Sequence, residues 1–338
     1  MPSLAKLVYF QPAARTPVKI TEQSGVDLLN YQVRIILDSA WDGWDIVKPD
    51  GSDIFFLDEQ GNPIYYWIEV FDYANRSAVL WVKIPLLPAN DTKTIYMHFG
   101  GINPYKAYRD PENVFDLFDD FLGTALDTNK WNSNTGGGAT LSVQNGLLMI
   151  HTSTTTYSGA WIWSKKLFDI PFIVEAKAIR HNAYSGGERG TGIMLVYSDW
   201  DGTSFDPYYY YPTRVILATI HRYTYYGRYN MIYDFVSGNH AYGSYSDNLG
   251  KWCLIRAIIL SDRQRAQFDF NLDGSIEDDL EIANTPAVSS FYVGVGAADY
   301  RTDSDAQIDW IRVRKYASVE PLVEIQPSVY IRKDMDLM

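Results

Sequence analysis

Apolar and polar residues alternate with a period of two along most of the chain. From Tyr31 onward, Val33, Ile35 and Leu37 fall on one face and the residues between them on the other. Successive side chains of a strand point to opposite faces of its sheet, so this pattern predicts β-strands. The nearest approach to a helix is Pro111 to Leu117, which predicts a turn or two. The chain is therefore expected to be all-β.

Turn signals divide the pattern into short strands, as in β-sandwiches. Hairpins are expected at Asn145-Gly146, Tyr226-Gly227 and Asp273-Gly274, because Asn and Gly tolerate positive φ. A chain of 338 residues is too long for one ordinary sandwich and long enough for two. We predict two jelly-roll-like β-sandwiches in tandem. Their bounds are residues 1–103 and 117–318, joined by a proline-bracketed linker, 104–116, and followed by a tail, 319–338, that adds an edge strand or reaches a neighbouring subunit.

Charge and composition exclude several classes of protein. Acidic residues number 41 and basic residues 29, a net charge of −12 that repels nucleic-acid phosphates. No apolar run approaches the roughly 20 residues of a membrane helix. The single cysteine, Cys253, excludes an internal disulfide and is interpreted as a buried, inert thiol. Residues 1–10 lack a secretory signal, so either a signal was removed or the protein is assembled without secretion, as virion proteins are.

Four strand-like motifs in the first half resemble one family in their order. These are Trp41–Asp45, Gly51–Phe56, Tyr66–Glu69 and Trp81–Pro85. Together they resemble the family called domain of unknown function 2341, from about residue 31 to residue 101. The resemblance implies a small β-sandwich of microbial surface and envelope-associated proteins, typically beside a lectin-like module, and brings no established catalytic residues.

The second half carries a different set of motifs. They are Asp119-Asp120-Phe121, Leu126–Trp131, Asn145–Leu148 and Ile308–Val313. Residues from about 118 to 316 are similar to the concanavalin A-like lectin/glucanase superfamily. That resemblance implies a jelly-roll fold and not an activity, because the fold carries lectins, hydrolases, lyases and structural modules.

The glucanase branch of that superfamily carries a Glu-x-Asp-x-x-Glu strand, which supplies the acid and the nucleophile of retaining hydrolysis. This sequence has no such run. Its nearest acidic groups, Glu188 and the pair Asp199 and Asp201, lack that spacing. No catalytic residue is assigned, and the protein is predicted not to be an enzyme. The alternative is a polysaccharide-active glycoside hydrolase or lyase with a displaced motif.

A structural calcium ion is the predicted cofactor. The period of two places Asp309 on the face of Ile311 and Val313, and an inward carboxylate needs a partner. The superfamily resemblance implies calcium ligation by Asp309 together with Asp119 or Asp120. Capping of backbone amides by Asp309 is an equally weighted alternative.

A weaker calcium candidate has the 1-3-5 oxygens of an EF-hand-type loop at Asp269, Asn271 and Asp273, with Gly274 at position 6. Position 12 is Leu280, where a bidentate carboxylate belongs. The flanking sequence also indicates a strand and not a helix. A polar hairpin turn is therefore favoured over a metal loop. The five histidines share no zinc-ligand spacing.

Tyrosine is concentrated in one stretch of the second half. Such rings stack on sugars, or they line contacts between subunits, and we favour a subunit or partner contact slightly. The candidate binding residues are Trp200, Tyr208, Tyr209, Tyr210, Tyr211, Tyr223, Tyr225, Tyr226, Tyr229 and Tyr233.

These observations predict a non-enzymatic binding or structural protein on a cell surface, in the extracellular space or on a virion exterior. Adhesion is the expected activity, through recognition of a glycan, a surface protein or neighbouring subunits of a homo-oligomer or appendage. Purely structural assembly without a glycan stays open. Nucleic acid and membrane-spanning segments are not expected.

Overall fold

The computed structural model describes residues 12–153, 157–180, 190–223, 227–244, 250–283, 285–299 and 304–331. They form two units, each with its own core. The first contains residues up to Asp116 together with those from Ala317 onward, and the second is Leu117–Tyr316. The sequence of the second unit thus lies between two segments of the first.

The first unit contains a six-stranded sheet, in the order β23-β1-β7-β3-β4 with β24 also on β1, and a three-stranded sheet, β2-β6-β5. A 3₁₀ turn and a short helix, α1, follow β7. The bounds are β1 Ala14–Thr21, β2 Leu28–Leu37, β3 Phe55–Leu57, β4 Pro63–Ile64, β5 Tyr66–Asp72, β6 Ser77–Leu87, β7 Thr92–Phe99, the 3₁₀ turn Lys106–Tyr108, α1 Pro111–Val114, β23 Leu322–Ile325 and β24 Val329–Tyr330.

Alternation places the core of the first unit between its two sheets. On β2, Val33, Ile35 and Leu37 are buried, as their spacing predicts. A buried carboxylate fixes the chain after the motif Trp41–Asp45: Asp53 accepts hydrogen bonds from the backbone N of Lys48 (3.1 Å) and of Gly100 (2.7 Å). The motif Gly51–Phe56, which contains Asp53, therefore has a structural role in this unit.

The segments expected to be a linker and a tail are both part of the first unit. In the linker, Asp110 caps α1 by accepting from the backbone N of Asn113, and Phe115 packs edge-on against Trp67 and Trp81. In the tail, β23 and β24 pair with β1. The edge strand considered for the tail is present.

The second unit is built of an eight-stranded and a seven-stranded antiparallel sheet. The orders are β10-β11-β22-β13-β18-β19-β20, with β8 also on β22, and β17-β16-β15-β14-β21-β12-β9. The bounds are β8 Leu117–Asp119, β9 Trp131–Gly136, β10 Thr140–Gln144, β11 Leu147–Thr152, β12 Ser158–Asp169, β13 Phe172–Arg180, β14 Thr191–Tyr197, β15 Val215–Tyr223, β16 Gly227–Asp234, β17 His240–Tyr242, β18 Cys253–Ile259, β19 Arg263–Asp269, β20 Asp278–Ala283, β21 Ser290–Asp299 and β22 Ser304–Lys315.

The inner faces of these two sheets form one apolar core. On β14, Ile193, Leu195 and Tyr197 belong to it, while Met194 and Val196 point outward. Cys253 is buried in the core, and burial raises the pKa of its thiol. The all-β prediction is confirmed. Among the described residues, no helix is long and apolar enough to cross a membrane.

Candidate functional site

The outer face of the seven-stranded sheet carries an apolar, aromatic surface of its own. Its central strands direct Trp161 and Trp163 of β12, Met194 of β14 and Leu217 of β15 outward. All four are nevertheless buried. Another segment of the chain therefore covers these four side chains.

The cover is the segment 198–214, between β14 and β15. Its carbonyl at Tyr209 accepts the indole N–H of Trp161 at 3.0 Å, and its Trp200 packs edge-on against Trp163. At its end, Arg214 forms a bidentate ion pair with Asp199, with N–O distances of 2.9 and 2.7 Å. The segment is thus a packed layer over the centre of the face.

The structure separates the predicted tyrosines into different environments. Tyr209 and Tyr211 are 5% and 2% exposed and belong to the covered aromatic cluster. Their burial does not support the prediction that these two rings contact a glycan or a partner, because the segment that carries them folds back onto its own sheet. Tyr208, by contrast, is 51% exposed and contacts Tyr157.

The other predicted binding residues in this stretch do not belong to the covered aromatic cluster or lie outside the described residues. Tyr210 has a positive φ of 63°, and its carbonyl accepts from the side chain of Asn134. Tyr223 ends β15, and its side chain lies outside the described residues. Tyr225, Tyr226 and Glu188 also lie outside them.

Tyr229 and Tyr233 belong to a strip of rings on the last two strands of the sheet, which we call the edge strip. Its members, in order of contact, are Tyr229, Tyr242, His240, Tyr233 and Phe235. Consecutive ring centroids are 4.6, 5.0, 5.1 and 4.3 Å apart. The register pairs Tyr233 with His240, so β16 and β17 present their rings on one face. Tyr242 is 48% exposed, and the strip borders solvent where the cover ends.

Sequence reasoning missed two members of the edge strip, His240 and Tyr242, which lie beyond the tyrosine-dense stretch. Phe235 ends that stretch and was not among the candidate binding residues. The signal was the alternation in His240-Ala241-Tyr242, which places both rings on one face of a strand. Their contact with Tyr229 and Tyr233 depends on the pairing of β16 with β17.

The predicted inward orientation of Asp309 is wrong. The register of β22 with β13 shifts at this residue: Ile308 pairs with Ala178, and Trp310 pairs with Lys177. Asp309 is the extra residue of a β-bulge, which breaks the period of two. Ile308 and Ile311 both face the core, while Asp309 pairs with the ammonium of Lys177 at 2.7 Å.

Asp119 has partners of a different kind. Its carboxylate accepts from the indole of Trp131 (2.6 Å) and the backbone N of Phe121 (2.8 Å). Burial raises the pKa of the neighbouring Asp120. Since Trp131 lies in the core and Lys177 lies on the outer face, Asp119 and Asp309 point to opposite sides of the sheet. These contacts do not support calcium ligation by Asp309 with Asp119 or Asp120.

Three carboxylates do converge in the weaker candidate, the loop between β19 and β20. Ligand atoms of Asp269, Asp273 and Glu277 all lie within 4.8 Å of one another. Asp269 is 2% exposed and accepts from the backbone N of Gly274 at 2.8 Å. Gly274 has a φ of 90°, which lets the chain turn back. Carboxylate oxygens are the kind of ligand that Ca²⁺ prefers.

Glu277 was missed at the sequence level. It occupies position 9 of the loop, which is a common calcium-ligand position. The sequence prediction considered position 12, where Leu280 has no carboxylate. Asn271, predicted as a ligand, instead donates its side-chain amide to Glu277 at 2.7 Å.

Comparison with known families confirms the first resemblance. The family model of Domain of unknown function (DUF2341) matches residues 50–134, so the match begins in the first unit and ends just inside the second. No curated protein matches the sequence.

Solved structures similar to this chain have the concanavalin A-like lectin/glucanase fold. One is a glycosyl hydrolase family protein from Mycobacterium fortuitum, with a TM-score of 0.41 and 14% identity over 59% of this chain and 99% of that one. Another is a laminarinase from Flavobacterium sp. UMI-01, at 0.44 and 14% over 60% and 100%. A third is the VIP36 exoplasmic/lumenal domain in its Ca²⁺/Man3GlcNAc-bound form, at 0.43 and 12% over 62% and 100%.

Proposed function

We propose that the protein is an externally displayed, non-catalytic binding protein, and that its second unit binds carbohydrate through the edge strip. The continuous row of partly exposed rings carries this proposal. The apolar faces of sugar rings pack on aromatic side chains, and a row of rings supports an extended chain better than a single ring does. Adhesion to a glycan-coated surface is the role that follows.

The covered face supports binding at the edge. Because segment 198–214 packs over Trp161 and Trp163, a glycan has no access to the centre of the sheet without displacing that layer. The outward side chains beneath it are apolar, whereas retaining hydrolysis needs two carboxylates about 5 Å apart. Binding without cleavage is therefore favoured over the hydrolase or lyase alternative.

The test is glycan-array binding of the full chain and of a Tyr242→Ala variant. A tyrosine at the centre of a contact contributes about 2 kcal/mol, so affinity should fall about thirtyfold. Tyr73→Ala removes a partly exposed ring of the first unit and should bind as the parent does. A parent that binds no glycan would contradict the proposal. New reducing ends or unsaturated products released from polysaccharides would favour the enzymatic alternative.

We also propose that the loop of Asp269, Asp273 and Glu277 binds Ca²⁺. The supporting observation is the convergence of its three carboxylates. An ion that binds only the folded state stabilises it, so calcium should raise the melting temperature of the chelator-treated protein. Glu277→Gln should lose that increase. Glu281→Gln, which changes an exposed carboxylate near Arg263 and Arg265, should keep it. If calcium raises the melting temperature of both variants equally, the ion binds elsewhere in the protein.

A further inference from the structure

A pocket of about 380 Å³ lies in the first unit, where the end of β2 meets residues 325–327. Its apolar lining includes the buried side chains of Leu37 and Trp41. Ile36, which is 54% exposed, lies at its solvent side. The full lining is Ile36, Leu37, Asp38, Ala40, Trp41, Asp42, Ile325, Gln326 and Pro327.

The wall formed by residues 325–327 is held by backbone pairing. Ile325 pairs with Val18 of β1, and the backbone N of Gln326 donates to the carbonyl of Pro17 at 2.9 Å. Across the pocket, the backbone N of Ser328 donates to Asp42 at 2.9 Å. The two sides are therefore fixed relative to each other before any ligand enters, which lowers the entropic cost of binding.

The charged groups of the pocket are all acidic. Asp38 and Asp42 are exposed, and none of the described residues that line the pocket is basic. One oxygen of Asp38 accepts from the backbone N of Ala40 at 2.9 Å. Among the described residues, its other oxygen has no hydrogen-bond partner. An apolar interior with an available carboxylate at the solvent side is complementary to a side chain that has an apolar stem and a cationic end.

We propose that this pocket binds an arginine side chain of a partner protein. The methylene stem would pack on Ile36 and Ile325, as the stems of long cationic side chains do on apolar surfaces. A guanidinium group is more weakly hydrated than an ammonium group, pairs with carboxylates through two N–H groups and stacks on aromatic rings. Asp38 offers the carboxylate at the solvent side of the pocket, whereas the ring of Trp41 is 5% exposed and serves as the floor of the pocket. The net charge of −12 favours approach of a basic partner.

The experiment uses N-acetyl-arginine methylamide, which reproduces an arginine within a chain, and the full-length protein. NMR spectra of the tryptophan indole groups report binding, because the indole N–H of Trp41 donates to Thr16 and is sensitive to its surroundings. Trp41→Phe assigns the signal. We expect a saturable shift of this signal and affinity at least about tenfold lower for the uncharged citrulline analogue. Added salt should weaken binding of the arginine probe.

Asp38→Asn and Asp27→Asn form a matched pair of variants. Each aspartate uses one oxygen to accept from a backbone N two or more residues away, but only Asp38 lines the pocket. Asp38→Asn should lower the affinity for the arginine probe at least about tenfold, and Asp27→Asn should leave that affinity unchanged. Equal binding of the citrulline analogue, equal loss in both variants, or no saturable shift would overturn the proposal. If free arginine binds more tightly than N-acetyl-arginine methylamide, the ligand of this pocket is a metabolite and not a side chain of a partner protein.

Discussion

The carboxylate of Glu175, on β13, is fully buried among three guanidinium groups. The Nε atoms of Arg256 and Arg312 lie 2.7 Å from its oxygens, and that of Arg314 lies 3.3 Å away. Burial by itself opposes ionisation, but the charges of Arg312, Arg314 and Arg256 outweigh it and hold the pKa of Glu175 well below its usual value. The ionised group therefore stabilises the second unit.

Glu175→Gln should destabilise the second unit by roughly 3–5 kcal/mol, because buried guanidinium groups lose their carboxylate. Urea unfolding at neutral pH measures the change. Asp279→Asn, at an exposed ion pair with Arg265, is the control and should cost about 1 kcal/mol or less. Because the folded pKa is depressed, the contribution of Glu175 is present above the unfolded pKa of about 4.3 and is lost as the pH falls through the folded value. A loss in Glu175→Gln no larger than in the control would contradict this account.

His98, on β7, gives the first unit a separate dependence on pH. The ring is buried and stacks on Phe55 at 4.9 Å, and within the described part of the chain its Nδ1 has no hydrogen-bond partner. Burial, with a smaller effect from the charge of Arg15, lowers the pKa of His98 to about 4. An unfolded histidine has a pKa of about 6.5, so between these values the unfolded state binds the extra proton.

The stability of the first unit should therefore fall as the pH is lowered from about 6.5 to about 4. His98→Phe, which keeps an aromatic ring but cannot be protonated, should show a flatter stability profile over that range. His151→Gln, at a half-exposed histidine in the second unit, should leave the profile unchanged. Parallel profiles for His98→Phe and the parent would show that other groups cause the dependence.

At the level of elements, local alternation predicted strands well and their irregularities poorly. The run Val33, Ile35, Leu37 gave the buried face of β2 correctly, and Asn145-Gly146 forms the turn between β10 and β11 with φ values of 56° and 72°. Alternation could not show the bulge at Asp309, because an extra residue in one strand is defined only by its pairing with another. The same limit explains why the calcium ligands inferred from that strand were misplaced.

In the candidate site, too, some residues could be predicted from local sequence and others only from strand pairing. The sequence supplied Tyr229 and Tyr233, and strand pairing added His240 and Tyr242. Glu277 was accessible from the loop pattern alone, at position 9. Burial of Tyr209 was not accessible, because segment 198–214 has no periodicity and its position depends on a sheet assembled from distant strands.

Neighbouring tyrosines in that segment should respond differently to truncation. Tyr209 is buried against the covered face, so Tyr209→Ala leaves a cavity and should cost about 3 kcal/mol of unfolding free energy. Tyr208→Ala removes a half-exposed ring and should cost within about 0.5 kcal/mol. Chemical denaturation of both variants provides the comparison. Equal, small costs would mean that the segment does not pack on Trp161 as described.

At the scale of the whole molecule, the second unit is an insertion in the sequence of the first. Its two ends are adjacent strands: Leu117 of β8 pairs with Val313 of β22, and Asp119 pairs with Ile311. Every described residue in its core cluster lies between Leu117 and Val313. The first unit, in contrast, needs residues from both sides of the insertion, because β23 and β24 pair with β1.

The fragment Leu117–Tyr316 should therefore fold by itself, since a segment with its own core and with paired ends carries the contacts that stabilise it. We expect a cooperative thermal transition, a near-ultraviolet circular dichroism signal from packed tryptophans and retention of the glycan binding proposed for the edge strip. The fragment 1–116 is the comparison and should lack a cooperative transition, because β1 loses the strands that pair along one of its edges. If 1–116 unfolds cooperatively and Leu117–Tyr316 does not, the contacts that hold each unit together have been assigned to the wrong unit.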